Sequence, residues 1–188
     1  MKLMLLGLLV FLGAHVFTTM RVARAGVVAR IGEGPYKGLY SLVSIAGVIM
    51  IGYGFAVWRA EGSPQLWYPP LWTKHLAILL MLFASICVVA AYPPTHIRVW
   101  LKHPMLVGVK IWALAHLIAN GDLGGMLLFG AFLAWAVYDR IAVKRRGDLG
   151  APRGSSFTPA DGINLVVGTI AYIAMIFLHP YLIGVSVI

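Results

Sequence analysis

Residues 104–122, PMLVGVKIWALAHLIANGD, run from a proline through an apolar stretch with a histidine inside it to an Asn-Gly-Asp turn. Proline is favoured at the first helical position and Asn-Gly marks a turn, so this stretch reads as one helix with both ends written into it. The next stretch, residues 123–143, is apolar again. A connection as tight as residues 120–122 makes the two helices an antiparallel hairpin. Crossing a hydrocarbon core takes about 20 residues, and further runs of that size lie near residues 2–20, 38–59, 72–91 and 162–184. With residues 105–120, the shortest, and 123–143, they predict an all-α, polytopic six-helix transmembrane bundle.

Composition agrees with that reading. The chain has 188 residues, 61% hydrophobic and 11% charged, with a formal net charge of +9. Few polar residues remain to build a soluble surface. The basic residues fall between apolar runs rather than along one soluble face, so they specify topology and not nucleic-acid binding. A single domain over residues 1–188 is expected, because no long polar segment separates the runs. Lys2, the apolar stretch Leu3 to Ala14 and Ala23-Arg24-Ala25 imitate a cleavable signal. Arg21 and Arg24 directly after the apolar stretch instead favour an uncleaved first helix. Cys87, the one cysteine, lies mid-run and reads as a small buried apolar residue.

The first, third and fifth connections carry Arg21, Arg24, Arg30 and Lys37, then Arg98 and Lys102, then Lys144, Arg145, Arg146 and Arg153. The second and fourth carry Glu61 and Asp122, with Lys74 at a boundary. The positive-inside rule then sets both termini on the non-cytoplasmic side, with Trp67, Tyr68, Trp72 and Trp100 at the interfaces. The fifth connection, Lys144 to Asp161, is rich in Gly, Ser and Pro and reads as irregular.

Two histidines, His15 and His116, fall inside apolar runs, where an ionisable group is costly and marks function by default. Neutral imidazole is a metal and haem ligand, and it is also a hydrogen-bonding group in helix packing, so both roles stay open for each. Counted by helical rise, His15 lies roughly 9 Å inside the edge marked by Arg21 and His116 about 18 Å from Pro104. Trp112 and Asn120 share the His116 ridge, and Phe11 shares the His15 face. His75 and His179 sit near span ends and His96 in the third connection. His103, with Arg98, Lys102 and Lys110, makes a basic cluster suited to anionic headgroups or haem propionates. Lys110 is expected to pair with Asp139 across the hairpin. Asn164, Gly168 and Tyr172 on one run, and Tyr40, Ser44 and Gly47 on another, form small or polar stripes that mark helix contacts. No CxxC pair, zincin motif, phosphate-binding glycine loop or mid-membrane carboxylate is present.

Five stretches, Phe11 to His15 (FLGAH), Gly32 to Leu42 (GEGPYKGLYSL), Lys102 to Gly108 (KHPMLVG), Trp112 to Asp122 (WALAHLIANGD) and Leu128 to Arg140 (LFGAFLAWAVYDR), carry a family resemblance. Together they make the chain resemble the NnrU family of bacterial membrane proteins over essentially its whole length. The resemblance implies a bacterial inner (cytoplasmic) membrane location and a link to nitrogen-oxide respiration (denitrification). The family includes the plant 15-cis-zeta-carotene isomerase, a membrane enzyme with a haem b on two histidines. Its ligands match His15 and His116, and its cysteine three residues before the second ligand matches Ala113. The resemblance therefore implies a haem b between the first and fourth spans, metal-ligated by His15 and His116. Phe11, Trp112, Asn120 and His103 are the expected neighbours of the cofactor. Three functions follow as expectations: a redox or nitrogen-oxide role, a cofactor-free scaffold for nitrogen-oxide reductases, and a haem-dependent isomerase of a lipophilic polyene. Ala113 ranks the isomerase last, and whether the protein is an enzyme stays open. The expected partners are the lipid bilayer, with a reductase or a lipophilic substrate.

Overall fold

In the computed structural model, residues 1–150 and 157–187 are described. Among them the chain forms eight helices, numbered in chain order: α1 Lys2–Thr19, α2 Arg21–Ile31, α3 Glu33–Ala60, α4 Leu71–Val89, α5 His96–Leu101, α6 Pro104–Ala119, α7 Leu123–Arg145 and α8 Pro159–Ile183. The fold is all-α. Five helices, α1, α3, α4, α7 and α8, are long and apolar enough to cross a membrane, and α6 is a shorter apolar helix of 16 residues. The protein is thus a multi-pass membrane protein. Contacts group the chain into two compact units, Met1–Pro64 and Gln65–Ile188.

In the first unit α1 lies antiparallel on α3, backbone close to backbone, because glycines stand where the helices touch. A Cβ on Gly47 would come 2.8 Å from the Phe11 Cβ, and one on Gly54 would come 2.8 Å from the Met4 Cα. Gly7 faces Ile51 and Met50 in the same way, at 2.7 and 2.8 Å. Apolar burial drives little between helices that lipid already surrounds, so close van der Waals approach over small residues is what holds such a pair. The expected stripe of Tyr40, Ser44 and Gly47 is part of this seam at Gly47 and Tyr40.

The first connection departs from expectation. Residues 21–31 are helical and not a loop, and α3 begins at Glu33, earlier than the predicted start near residue 38. Alanines and arginines there support a helix, and Gly32, at φ 85°, makes the break that redirects the chain. Lys37 and Glu33 pair at 3.0 Å one turn apart on α3.

In the second unit α6 packs against α4 and α7, and α8 against α4. Gly108 of α6 fits between Val88 and Ala84 of α4, its would-be Cβ 2.8 and 3.0 Å from their atoms. The expected stripe of Asn164, Gly168 and Tyr172 is a helix contact at Asn164 and Gly168, and the helix it meets is α4. Ser85 Oγ donates to the Gly168 carbonyl at 2.8 Å, and a Cβ on Gly168 would lie 2.8 Å from the Ile86 Cα. Helix α8 opens with a capping box between Thr158 and Asp161. The Asp161 carboxylate also accepts from the Ile97 N–H at 3.1 Å, so a fully buried acid ties α8 to α5.

The hairpin of α6 and α7 is formed. Asp122 caps α7 by accepting from the Gly125 N–H at 2.9 Å. The Gly121 carbonyl accepts from Leu66 and Trp67 at 2.7 and 3.2 Å, and a Cβ on Gly121 would run into Trp67. The Lys110–Asp139 ion pair does not form: among the described residues the pair within 4 Å is Lys37–Glu33. Ring contacts join His116 to Phe129 and Trp112 to Phe132, which sets Lys110 level with Trp135. Asp139 lies about one turn farther along α7. Of the fifth connection, Arg146 to Gly150 continues from α7 without helix. Residues 151–156, with Arg153 and much of the Gly-Ser-Pro stretch, lie outside the described residues.

Candidate functional site

His15 and His116 are half-buried and share one local geometry. The His15 Nδ1–H donates to the Phe11 carbonyl at 2.7 Å, and the His116 Nδ1–H donates to the Trp112 carbonyl at 2.8 Å. Each carbonyl lies one turn earlier on the same helix. A carbonyl only accepts, so Nδ1 carries the proton in both rings and the Nε2 lone pair lies in the plane of the imidazole. This tautomer, fixed by a backbone carbonyl, is the one in which histidines ligate metals through Nε2.

Around His15 the Phe11 ring lies 4.1 Å away centroid to centroid, and Tyr40 of α3 lies 5.3 Å away. Around His116, Phe129 of α7 stacks at 4.4 Å and 27°, and Trp112 lies at 5.3 Å. Trp112 in turn meets Phe129 and Phe132 edge-on at 5.1 and 5.3 Å. Asn120 ends α6 and its Nδ2–H donates to the His116 carbonyl at 2.8 Å. Phe129 covers one face of the His116 imidazole, the tilted rings crowd His15, and both settings limit how far each imidazole can turn.

The expected site residues therefore fall into two clusters, Phe11 with His15 in the first unit and Trp112, His116 and Asn120 in the second. His103 joins neither. It precedes Pro104 at the far end of α6, about 20 Å from His116 by helical rise, and its Nε2–H donates to the Asp148 carbonyl at 3.3 Å. Among the described residues no three of His, Cys, Asp or Glu converge as a metal site. Ala113 is fully buried. His179 donates from Nδ1 to the Val185 carbonyl at 2.8 Å near the end of α8.

Tyr40, Phe129 and Phe132 were not among the expected site residues. A signal for Phe129 does exist in the sequence: reflecting an antiparallel hairpin about its turn near residue 122 sets residue 129 opposite residue 116. Tyr40 has no such signal, because α2 intervenes between its helix and α1.

No curated protein and no solved structure matches the chain. The family profile described as NnrU protein matches residues 3–187, nearly the whole chain. The chain belongs to the NnrU family.

Proposed function

We propose that this protein binds a b-type haem through His15 and His116 and acts in redox or nitrogen-oxide metabolism in the bacterial inner membrane. The observation that supports the reading is the shared geometry of the two histidines: each Nδ1–H is committed to a carbonyl one turn back, which makes Nε2 the ring nitrogen that could ligate a metal. The positive-inside pattern supports six spans with both termini on the non-cytoplasmic side. Haem held there would supply one-electron chemistry. The chain's own part is to fix both imidazole tautomers, to hold each ring against aromatic neighbours, and to keep the surroundings apolar, which tunes a redox potential.

The isomerase reading asks for a ligand that can leave in favour of a thiolate. Ala113 offers only a methyl group at the matching position, so electron transfer or redox sensing fits this chain better. A cofactor-free scaffold for nitrogen-oxide reductases is the competing reading, in which the same rings serve packing alone. A reduced-minus-oxidised spectrum with a pyridine haemochrome assay, on wild type, His15→Ala and His116→Ala purified from haem-replete cells, separates them. A b-type spectrum weakened in both variants is expected, and a featureless wild-type spectrum would rule the haem out in favour of the scaffold.

A further inference from the structure

The junction of α5 and α6 contains a costly backbone conformation. Lys102 has φ 64° and ψ −52°, and the Leu101 carbonyl accepts from the His103 N–H at 2.7 Å, which makes a γ-turn of the rare positive-φ kind. Neighbouring groups hold it there. Thr95 caps α5 by accepting from the Arg98 N–H at 3.1 Å, and the Lys102 N–H donates to the Arg98 carbonyl at 2.9 Å. Gly150 lies against the same turn, so that a Cβ on it would stand 2.9 Å from the Lys102 Cα.

That approach, with the His103–Asp148 hydrogen bond at 3.3 Å, draws the chain leaving α7 onto the turn. Arg146 is two residues from Asp148, so its backbone lies within roughly 8 Å of it. Arg98 and Lys102 are thereby gathered with Lys144, Arg145 and Arg146 from two parts of the sequence. None of the five makes an ion pair among the described residues. The Arg146 Nε is buried and has no hydrogen-bond partner among them. The acids nearby are otherwise engaged or displaced: Asp161 accepts from the Thr158 and Ile97 amides, Asp148 accepts from the Gly150 amide, and Asp139 lies more than a turn deeper on α7.

We propose that this basic end of the second unit binds the phosphate of an acidic phospholipid. Its position favours a lipid over a soluble anion. It closes the ends of the apolar helices α4, α6 and α7, and Trp100 and Tyr92 stand out beside it, 76% and 74% exposed, as aromatic side chains do at headgroup depth. The Arg98 Nη1–H donates to the Tyr92 carbonyl at 3.2 Å, which orients the guanidinium and leaves most of its donors for a phosphate.

The test is native mass spectrometry of the detergent-purified full chain titrated with dioleoylphosphatidylglycerol or dioleoylphosphatidylcholine. Each surface cation contributes about fivefold in affinity, so Lys102→Gln/Lys144→Gln/Arg145→Gln, all exposed positions, is expected to weaken phosphatidylglycerol binding about a hundredfold. The control Arg21→Gln/Arg24→Gln/Arg30→Gln on α2 is expected to keep it, as are competing millimolar concentrations of inorganic phosphate. If the triple variant loses helicity by circular dichroism, Lys144→Gln/Arg145→Gln decides instead, with about a 30-fold loss. Equal affinity for the two lipids, loss only in the α2 control, or full displacement by inorganic phosphate would overturn the proposal.

Discussion

Replacing Gly47 by alanine tests the seam between α1 and α3 and, through it, the setting of His15. The new Cβ would sit 2.8 Å from the Phe11 Cβ, 2.9 Å from its N and 3.0 Å from its Cα. Carbon atoms rest at about 3.5–4.0 Å, so the helices must part by roughly 0.8 Å at Phe11, and two of the three atoms are backbone and have no rotamer to escape into. Overpacking of this kind costs about 1–3 kcal/mol, against which alanine recovers about 1 kcal/mol of helix propensity. The net expectation is a loss of up to about 2 kcal/mol against wild type, and of about 1–3 kcal/mol against a glycine-to-alanine change that meets no neighbour, a factor of about 5–150 in the folding equilibrium. The displaced residue is also the one whose carbonyl holds the His15 Nδ1–H. Gly13 on α1 and Gly52 on α3 are the internal controls, because a Cβ on either meets nothing within 4 Å. Unfolding in mixed micelles of mild detergent and dodecyl sulfate, followed by circular dichroism, reads all three. Gly13→Ala and Gly52→Ala should be neutral or slightly stabilising. A Gly47→Ala protein as stable as either control would refute the close-contact reasoning.

The same assay checks three further expectations. Phe129→Ala removes a ring that is 6% exposed and stacked on His116, and should cost about 3–5 kcal/mol with Phe129→Leu intermediate; a cost under about 1 kcal/mol would mean the aromatic cluster is not a packed one. Gly168→Ala should destabilise by about 1–2 kcal/mol where its neighbour on the same helix, Gly162→Ala, with open space around it, does not; parity would remove the proposed α4–α8 contact. Asn164→Leu should cost no more than about 1 kcal/mol, because its amide makes one long hydrogen bond, 3.5 Å to the Ile86 carbonyl, and its Oδ1 has no partner among the described residues; a loss above about 2 kcal/mol would show a stronger polar contact there.

Legibility in the sequence followed the reach of local signals. The long apolar runs, the proline at the head of α6 and the Asn-Gly-Asp turn foretold helices and one hairpin, since length, φ restriction and turn chemistry act within a few residues. The stripes at Gly47 and Gly168 were readable as contacts because close approach needs small residues at helical spacing. Which helix each stripe would meet was not readable from spacing. Helix α2 was missed because its arginines matched a cytoplasmic loop, whereas only the conformation of Gly32 divides it from α3. The Lys110–Asp139 pairing follows from charge and the antiparallel sense of the hairpin, which leave its register open, and the aromatic register about the turn near residue 122 overrules it. For the site, the two histidines stood out by the cost of their polarity. Tyr40 did not, since the α1–α3 register is set by glycine contacts between residues far apart in the chain.

The hydrogen bonds of His15 and His116 run to carbonyls of their own helices, one turn back. The protonation pattern of each ring is therefore settled by a single helical segment as soon as that segment winds. A nascent α1 or α6 leaving the insertion machinery carries its imidazole already in the Nδ1–H tautomer, before any other helix has docked. The choice of tautomer then belongs to helix formation, an early and local event, and what helix docking adds is the aromatic neighbours of each ring.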